Sequence, residues 1–162
     1  MKSAARAQTG EDTAAEFRIT EFPLHYVVFI QKYAQAAFAR VLEPHGLTNQ
    51  TWRVLAALSD GCPRTIGQLA DATVFDRANL GRLIDSMARD RLVTRTPDPA
   101  DRRVVRAAMA AEGRRRFDAA HPEILNTYSR LLDGLDAGDQ AALMAGLTRM
   151  KANCIALCED LS

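Results

Sequence analysis

Lysine is scarce in this chain: three lysines stand against eighteen arginines. Positive charge therefore comes almost wholly from guanidinium groups, which suit bidentate contact with guanine edges or phosphates better than an ammonium does. Aromatic residues are also few, at 6%. The three cysteines, Cys62, Cys154 and Cys158, are too few and too poorly spaced for a disulfide framework. No run of about eighteen apolar residues is present, which excludes a membrane-spanning helix. The opening stretch MKSAARAQTGEDTAAE has no apolar segment of a secretory signal, so a cytoplasmic protein is expected. Histidines lie scattered at 25, 45 and 121, and no metal or cofactor is expected. The zinc-protease, nucleophile-elbow, P-loop and dinucleotide-binding motifs are all missing, which argues against an enzyme.

The charge that is present is unevenly placed. The net formal charge is only +1, yet Arg64 to Arg116 holds 12 arginines against 7 acids, a local +5 that leaves −4 for the rest. A basic module on an acidic scaffold fits nucleic-acid binding by one face rather than a general coat. Nearly half the residues are hydrophobic, enough for a core with some left over, and the 162 residues suit one domain or a small domain plus an assembly region.

The stretch from Arg64 to Gly113 organises the chain. Thr65 and Gln68 form a capping box that opens a helix through Leu69 to Ala72. Asp76 is a second N-cap, and Leu80, Leu83, Ile84 and Met87 then make an apolar stripe at helical spacing. The opposite face carries Arg77, Ala78, Asn79, Gly81, Arg82 and Asp85. Helix, short turn and a second helix with a basic face is the layout that enters a DNA major groove. Two β-like runs follow, Leu92–Thr96 and Val104–Met109, around the tip Pro97-Asp98-Pro99-Ala100-Asp101-Arg102-Arg103. Arginines at such a tip can reach phosphate or the minor groove.

These residues resemble the MarR-type winged-helix transcription regulators. The resemblance runs from about Phe22 to the C-terminus and is carried by Leu47-Thr48, Trp52-Arg53-Val54-Leu55 and Ile66-Gly67-Gln68-Leu69-Ala70. It continues through Leu80-Gly81-Arg82-Leu83-Ile84-Asp85, Leu92-Val93-Thr94-Arg95, Asp98-Pro99-Ala100-Asp101-Arg102-Arg103 and Gly113. Two departures stand out: Gly81 replaces a frequent Thr, and Met109-Ala110 replaces a Leu-Thr pair, which removes an expected N-cap. The fold expected is mainly α with a small β-hairpin wing, a winged helix-turn-helix DNA lobe joined to a helical dimerisation region. Residues 1–19 would be a flexible arm, 20–46 and 110–162 the dimerisation region, and 47–109 the DNA lobe.

DNA contacts are expected from Arg64, Thr65, Arg77, Ala78, Asn79, Gly81, Arg82, Asp101, Arg102 and Arg103. Asp101 either holds a wing arginine or serves as a turn aspartate. Gly81, costing about 1 kcal/mol against alanine inside a helix, reflects either close approach of DNA or a packing need within the protein.

Outside the lobe, Phe22, Tyr26, Phe29, Ile30, Tyr33, Ala37 and Val41 give a first helix an apolar stripe wider than one packing partner needs. Phe117, His121, Ile124, Tyr128, Leu131 and Leu135 alternate spacings of four and three in a helix expected from Ala110 to Leu135, kinked or split near His121 by Pro122. Leu143, Leu147, Met150, Cys154, Leu157 and Leu161 repeat the rule in the last helix. A twofold dimer is the economical way to cover this surplus, with Phe22, Ile30, Leu143, Leu147, Met150, Cys154 and Leu157 at the interface and a pseudo-palindromic double-stranded operator as its DNA partner. Cys154 and Cys158 are expected to be buried, inert thiols. The resemblance also implies an effector site near the first two long helices. There His25, Tyr26, Phe29, Trp52 and Arg53 would suit a small aromatic acid or its thioester. The expected function is thus a homodimeric repressor released by such a molecule. The competing readings are a cysteine-based redox sensor and a winged helix used only for protein contacts.

Overall fold

The structure is a computed structural model that describes residues 18–161. Most of the arm expected over 1–19 lies outside the described residues. The chain divides into two compact units, one ending at Tyr33 and one beginning at Ala34. A 3-10 turn over Ile19–Glu21 precedes helix α1 (Pro23–Leu42), which begins in the first unit and ends in the second, with Pro23 at the first helical position, where its missing N–H costs nothing. His25, Phe29 and Tyr33 follow one another along the helix, with ring centroids 4.7 and 6.1 Å apart.

The second unit is built on side-chain caps. A 3-10 turn over Glu43–His45 ends at Gly46, which takes the left-handed conformation (φ 63°) that glycine adopts without strain. Thr48 and Thr51 form a reciprocal capping box that starts α2 (Asn49–Ala57). Strand β1 (Arg64–Thr65) comes next, and Thr65 with Gln68 caps α3 (Ile66–Thr73), as the spacing predicts. Asp76 accepts the Asn79 N–H at the head of α4 (Arg77–Arg89). Strands β2 (Val93–Pro97) and β3 (Val105–Met109) pair antiparallel, with Val93 opposite Met109 and Pro97 opposite Val105. Each begins one residue later than predicted. Helix α5 (Ala111–Leu131) starts at Ala110 with no side-chain cap, in keeping with the missing threonine, and α6 (Ala137–Asp160) starts on a capping box between Asp136 and Asp139.

Three differences from expectation have physical reasons. The sheet has three strands rather than two, in the order β1-β3-β2. Arg64 and Thr65 pair with Ala107 and Arg106, a two-residue strand too short to leave an alternating pattern. Of the kink or split expected at Pro122, the split does not occur: α5 is one continuous helix. The ring sits on the exposed side, while Phe117, Ala120 and Ile124 bury the opposite face and keep the helix docked. Cys154 and Cys158 are exposed on this chain, because α6 buries none of its residues.

The core is formed where α2, α3, α4, α5 and the sheet meet. Leu42, Leu55, Leu58, Leu69, Leu80, Ile84 and Met87 are fully buried there. The tightest joint is at Gly113. A Cβ on this residue would lie 2.0 Å from the Leu92 carbonyl oxygen, which also accepts the Ala110 N–H at 3.0 Å. Only glycine lets α5 start this close to the end of the α4–β2 turn. Gly113→Ala should therefore cost about 1–3 kcal/mol, as overpacking does in a filled core, seen as a lower denaturant midpoint with an unchanged slope.

Candidate nucleic-acid interface

Asp76 sets the geometry of the candidate reading face by fixing the first turn of α4. Leu80, Ile84 and Met87 are buried beneath the helix, which leaves Arg77, Ala78, Asn79 and Arg82 exposed on its outer side. Arg82 Nη2 donates to Asn79 Oδ1, so the two predicted base readers form one hydrogen-bonded unit. The Arg77 guanidinium leans back over the start of α3, 3.9 Å from where a Gly67 Cβ would lie. A Cβ on Gly81 would meet no atom within 4 Å. Packing among the described residues therefore gives no reason for a glycine there.

The wing is held by two ion pairs that sequence reasoning missed. Arg95 on β2 donates to Asp85 on α4, tying the hairpin to the helix beneath it. Asp98 is a buried acid at the wing tip. Its carboxylate accepts the Ala100 N–H at 2.7 Å and the Arg106 Nε–H, and these bonds hold its pKa below the ordinary value, the backbone donor most of all. The cue was the pairing of an aspartate at one end of the tip with an arginine on the returning strand, a relation that appears only once the hairpin register is known. Asp101 is a turn aspartate: its carboxylate accepts the Arg103 N–H at 2.9 Å. Arg102 and Arg103 are exposed, and neither pairs with an acid among the described residues. Glu112 at the head of α5 accepts from Arg115 and Arg116, which lower its pKa to about 2. Those two arginines are thus committed within the protein.

Helix-turn-helix, a hairpin tip with two unpaired arginines and long flanking helices now stand together. Residues 45–104 match the sequence model of the MarR family. The uncharacterised HTH-type transcriptional regulator YsmB of Bacillus subtilis is 33% identical over 104 residues, 60% of this chain and 71% of that protein. The chain belongs to the MarR family. It is also 36% identical to the transcriptional activatory protein BadR of Rhodopseudomonas palustris, over 62% of this chain and 59% of BadR. With the HTH-type transcriptional repressor NicR of Pseudomonas putida the identity is 30%, over 64% of this chain and 66% of NicR. The chain thus spans less than two thirds of the length of BadR and NicR. The solved structure of Bordetella bronchiseptica BpsR, from work on regulation of its DNA binding by 6-hydroxynicotinic acid, superposes with a TM-score of 0.77 at 24% identity, covering 83% of this chain and 96% of that one. That likeness establishes the MarR fold.

The remaining candidates of this MarR-family chain fall as follows. Thr65 is occupied as the α3 cap, and Arg64 is paired with Asp60 at 2.6 Å. Trp52 stacks on Phe117 at 4.5 Å with the planes 14° apart. Arg53 lies over the Phe75 ring at 5.1 Å rather than against an acid. Tyr26 and Phe29 are exposed on α1, with His25 half-buried beside them, its ring 5.7 Å from that of Tyr26. Phe22, Ile30, Leu143, Leu147, Cys154 and Leu157 are exposed and Met150 half-buried. Cys62 is exposed in the turn before β1, its N–H bonded to Asp60. No helix among the described residues is long and apolar enough to cross a membrane, and they hold no cluster of three or more metal-ligating side chains.

Gly81→Ala separates the two roles of that position. With open space around the new methyl, stability should rise by about 1 kcal/mol from helix propensity, read by denaturant unfolding. An operator seated on this face would meet the new methyl, so its affinity should fall in the same variant.

Proposed function

We propose that this chain is a homodimeric, sequence-specific regulator of transcription. In this reading it represses by sitting on a pseudo-palindromic operator and leaves when a small aromatic acid or its thioester binds. The observation that carries the DNA half is the set of guanidinium groups left uncommitted on two neighbouring elements. Arg77 on α4 and Arg102 and Arg103 at the wing tip pair with no acid among the described residues, and Arg82 is bonded only to Asn79. A surface evolved only to stay in solution would have no need to leave so many of its arginines unopposed beside a groove-sized helix. Arg82 and Asn79 would read base edges in the major groove, and the wing arginines would contact the adjacent backbone or minor groove. Membership of the MarR family and the repressor name of NicR support this reading, while BadR is named an activator. The acid effector draws its support from BpsR, whose DNA binding is regulated by 6-hydroxynicotinic acid. No catalytic role is proposed.

The dimer rests on apolar surface. Leu125, Tyr128 and Leu131 on α5, and Leu143, Met144, Leu147, Ile155 and Leu157 on α6, are all exposed on the single chain. So large a patch on consecutive helices marks an association surface. A second copy of the chain covers it and spaces two reading helices for half-sites about one DNA turn apart.

Two measurements test the proposal. Light scattering at micromolar concentration should give twice the chain mass, and Leu147→Glu should weaken the dimer and operator binding together, since it places a carboxylate in an apolar seam. A monomeric parent ends the dimer account. In operator shifts, Arg82→Ala should lose about 1–3 kcal/mol and relax specificity at one base position. Arg102→Ala should weaken binding with a shallower dependence on salt, the sign of a lost phosphate contact. Unchanged affinity in both variants would place the DNA elsewhere.

A further inference from the structure

Val74 is held in a conformation that its side chain resists. It follows the last residue of α3 with φ 57° and ψ 38°, in the left-handed region. There an L-residue crowds its Cβ against the following carbonyl oxygen, and a branched Cβ makes the position a true outlier. Glycine or asparagine is the usual residue at such a helix end. Among the described residues one other non-glycine position, Arg91, has a positive φ, and arginine is unbranched at Cβ. The turn itself imposes this backbone. Val74 and Phe75 alone separate the end of α3 from the Asp76 cap of α4, and Phe75 packs back against the core.

Burial within the chain does not offset the strain, since Val74 is 83% exposed. The residue lines a depression of about 430 Å³ together with Gln50 of α2 and Asn79, Arg82 and Leu83 of α4. Asn79 and Arg82 are the hydrogen-bonded pair of the candidate reading face, so the isopropyl group stands beside the groups that would address base edges. It has neither donor nor acceptor, and a phosphate oxygen gains nothing from it. On the major-groove edges of base pairs the apolar group is the C5-methyl of thymine. In helix-turn-helix docking the residues at the head of the second helix meet those edges, and Val74 lies two residues ahead of the cap of α4.

We infer that Val74 is a specificity-determining contact, packing its isopropyl group on the C5-methyl of one thymine in each half-site, next to the base addressed by Asn79 and Arg82. The inference rests on the DNA half of the proposed function. It adds a contact that depends on neither charge nor hydrogen bonding. Docking removes water from two apolar groups at once. A β-branched side chain is already restricted at χ1, so little freedom is lost when it docks.

The full-length parent and Val74→Gly each select duplexes from a random pool. The parent should enrich thymine at one position of each half-site that the variant leaves open. In the parent's selected operator, each thymine of one half-site is then replaced in turn by deoxyuridine, which lacks only the C5-methyl. At the enriched position this should weaken the parent about fourfold, the value of one methyl-sized group taken from water. Val74→Gly should be indifferent there and should respond as the parent does at every other thymine. On the unmodified operator the variant should bind at least about fourfold more weakly than the parent. Each deoxyuridine comparison is made within one protein, so it does not depend on the stability of the variant. Full affinity in Val74→Gly, or a deoxyuridine series to which parent and variant respond alike at every position, would overturn the inference. A weaker variant with that same indifferent series would mark a contact with the sugar-phosphate backbone and overturn it equally. The two readings fail separately. A parent that enriches no duplex ends the DNA half of the proposed function and this contact with it, whereas a selected operator whose thymine methyls ignore Val74 removes this contact alone.

Discussion

The close approach of Leu92 to Gly113 is the joint on which the second unit depends. The Leu92 carbonyl accepts the Ala110 N–H and leaves no room for a side chain at Gly113. This one contact sets where the wing ends and where α5 begins. From there Phe117, Ala120 and Ile124 run along the buried side of α5 and pack with Trp52, Leu55 and the rest of the core. Because the helix starts without a side-chain cap, its position comes from this packing rather than from its own first turn.

Electrostatics gives two sets of arginines different work. Arg95, Arg106, Arg115 and Arg116 are spent on acids of the same chain. The first two brace the wing against α4 and shape its tip. The buried Asp98 is the most informative of their partners, since a carboxylate leaves water only where donors replace its hydration. Its bonds to the Ala100 N–H and to Arg106 meet that need and hold the turn that presents Arg102 and Arg103. The second group, Arg77, Arg102 and Arg103, stays outside such pairs among the described residues. A rigid mount carrying unspent charge is what a DNA-contacting surface requires, because contacts that need no reordering on binding cost less entropy.

The helices outside the lobe follow the opposite rule. Helix α6 buries nothing, although much of one side is leucine and methionine. Its capping box and length account for its being a helix, but not for its apolar surface. That surface is compatible with water only at a cost, and a second chain is the simplest way to remove it.

Much of this was legible in the sequence alone. The caps at Thr48, Thr65 and Asp76, the four buried or half-buried positions of the α4 stripe and the hairpin are local chemistry, set by residues a few positions apart, and so they can be read from spacing. The family resemblance to MarR regulators was legible for the same reason, being carried by short runs in fixed order. Tertiary structure decided what depends on partners far along the chain. It made Arg64–Thr65 a third strand by pairing with β3, gave Asp98 its arginine eight residues away across the hairpin, and let α5 pass through Pro122 because its other face is anchored. Among the described residues it removed any packing reason for Gly81. It also turned Arg53 toward the Phe75 ring. Spacing along a chain cannot show which side chains meet across helices, because that is settled by how the core fills its volume.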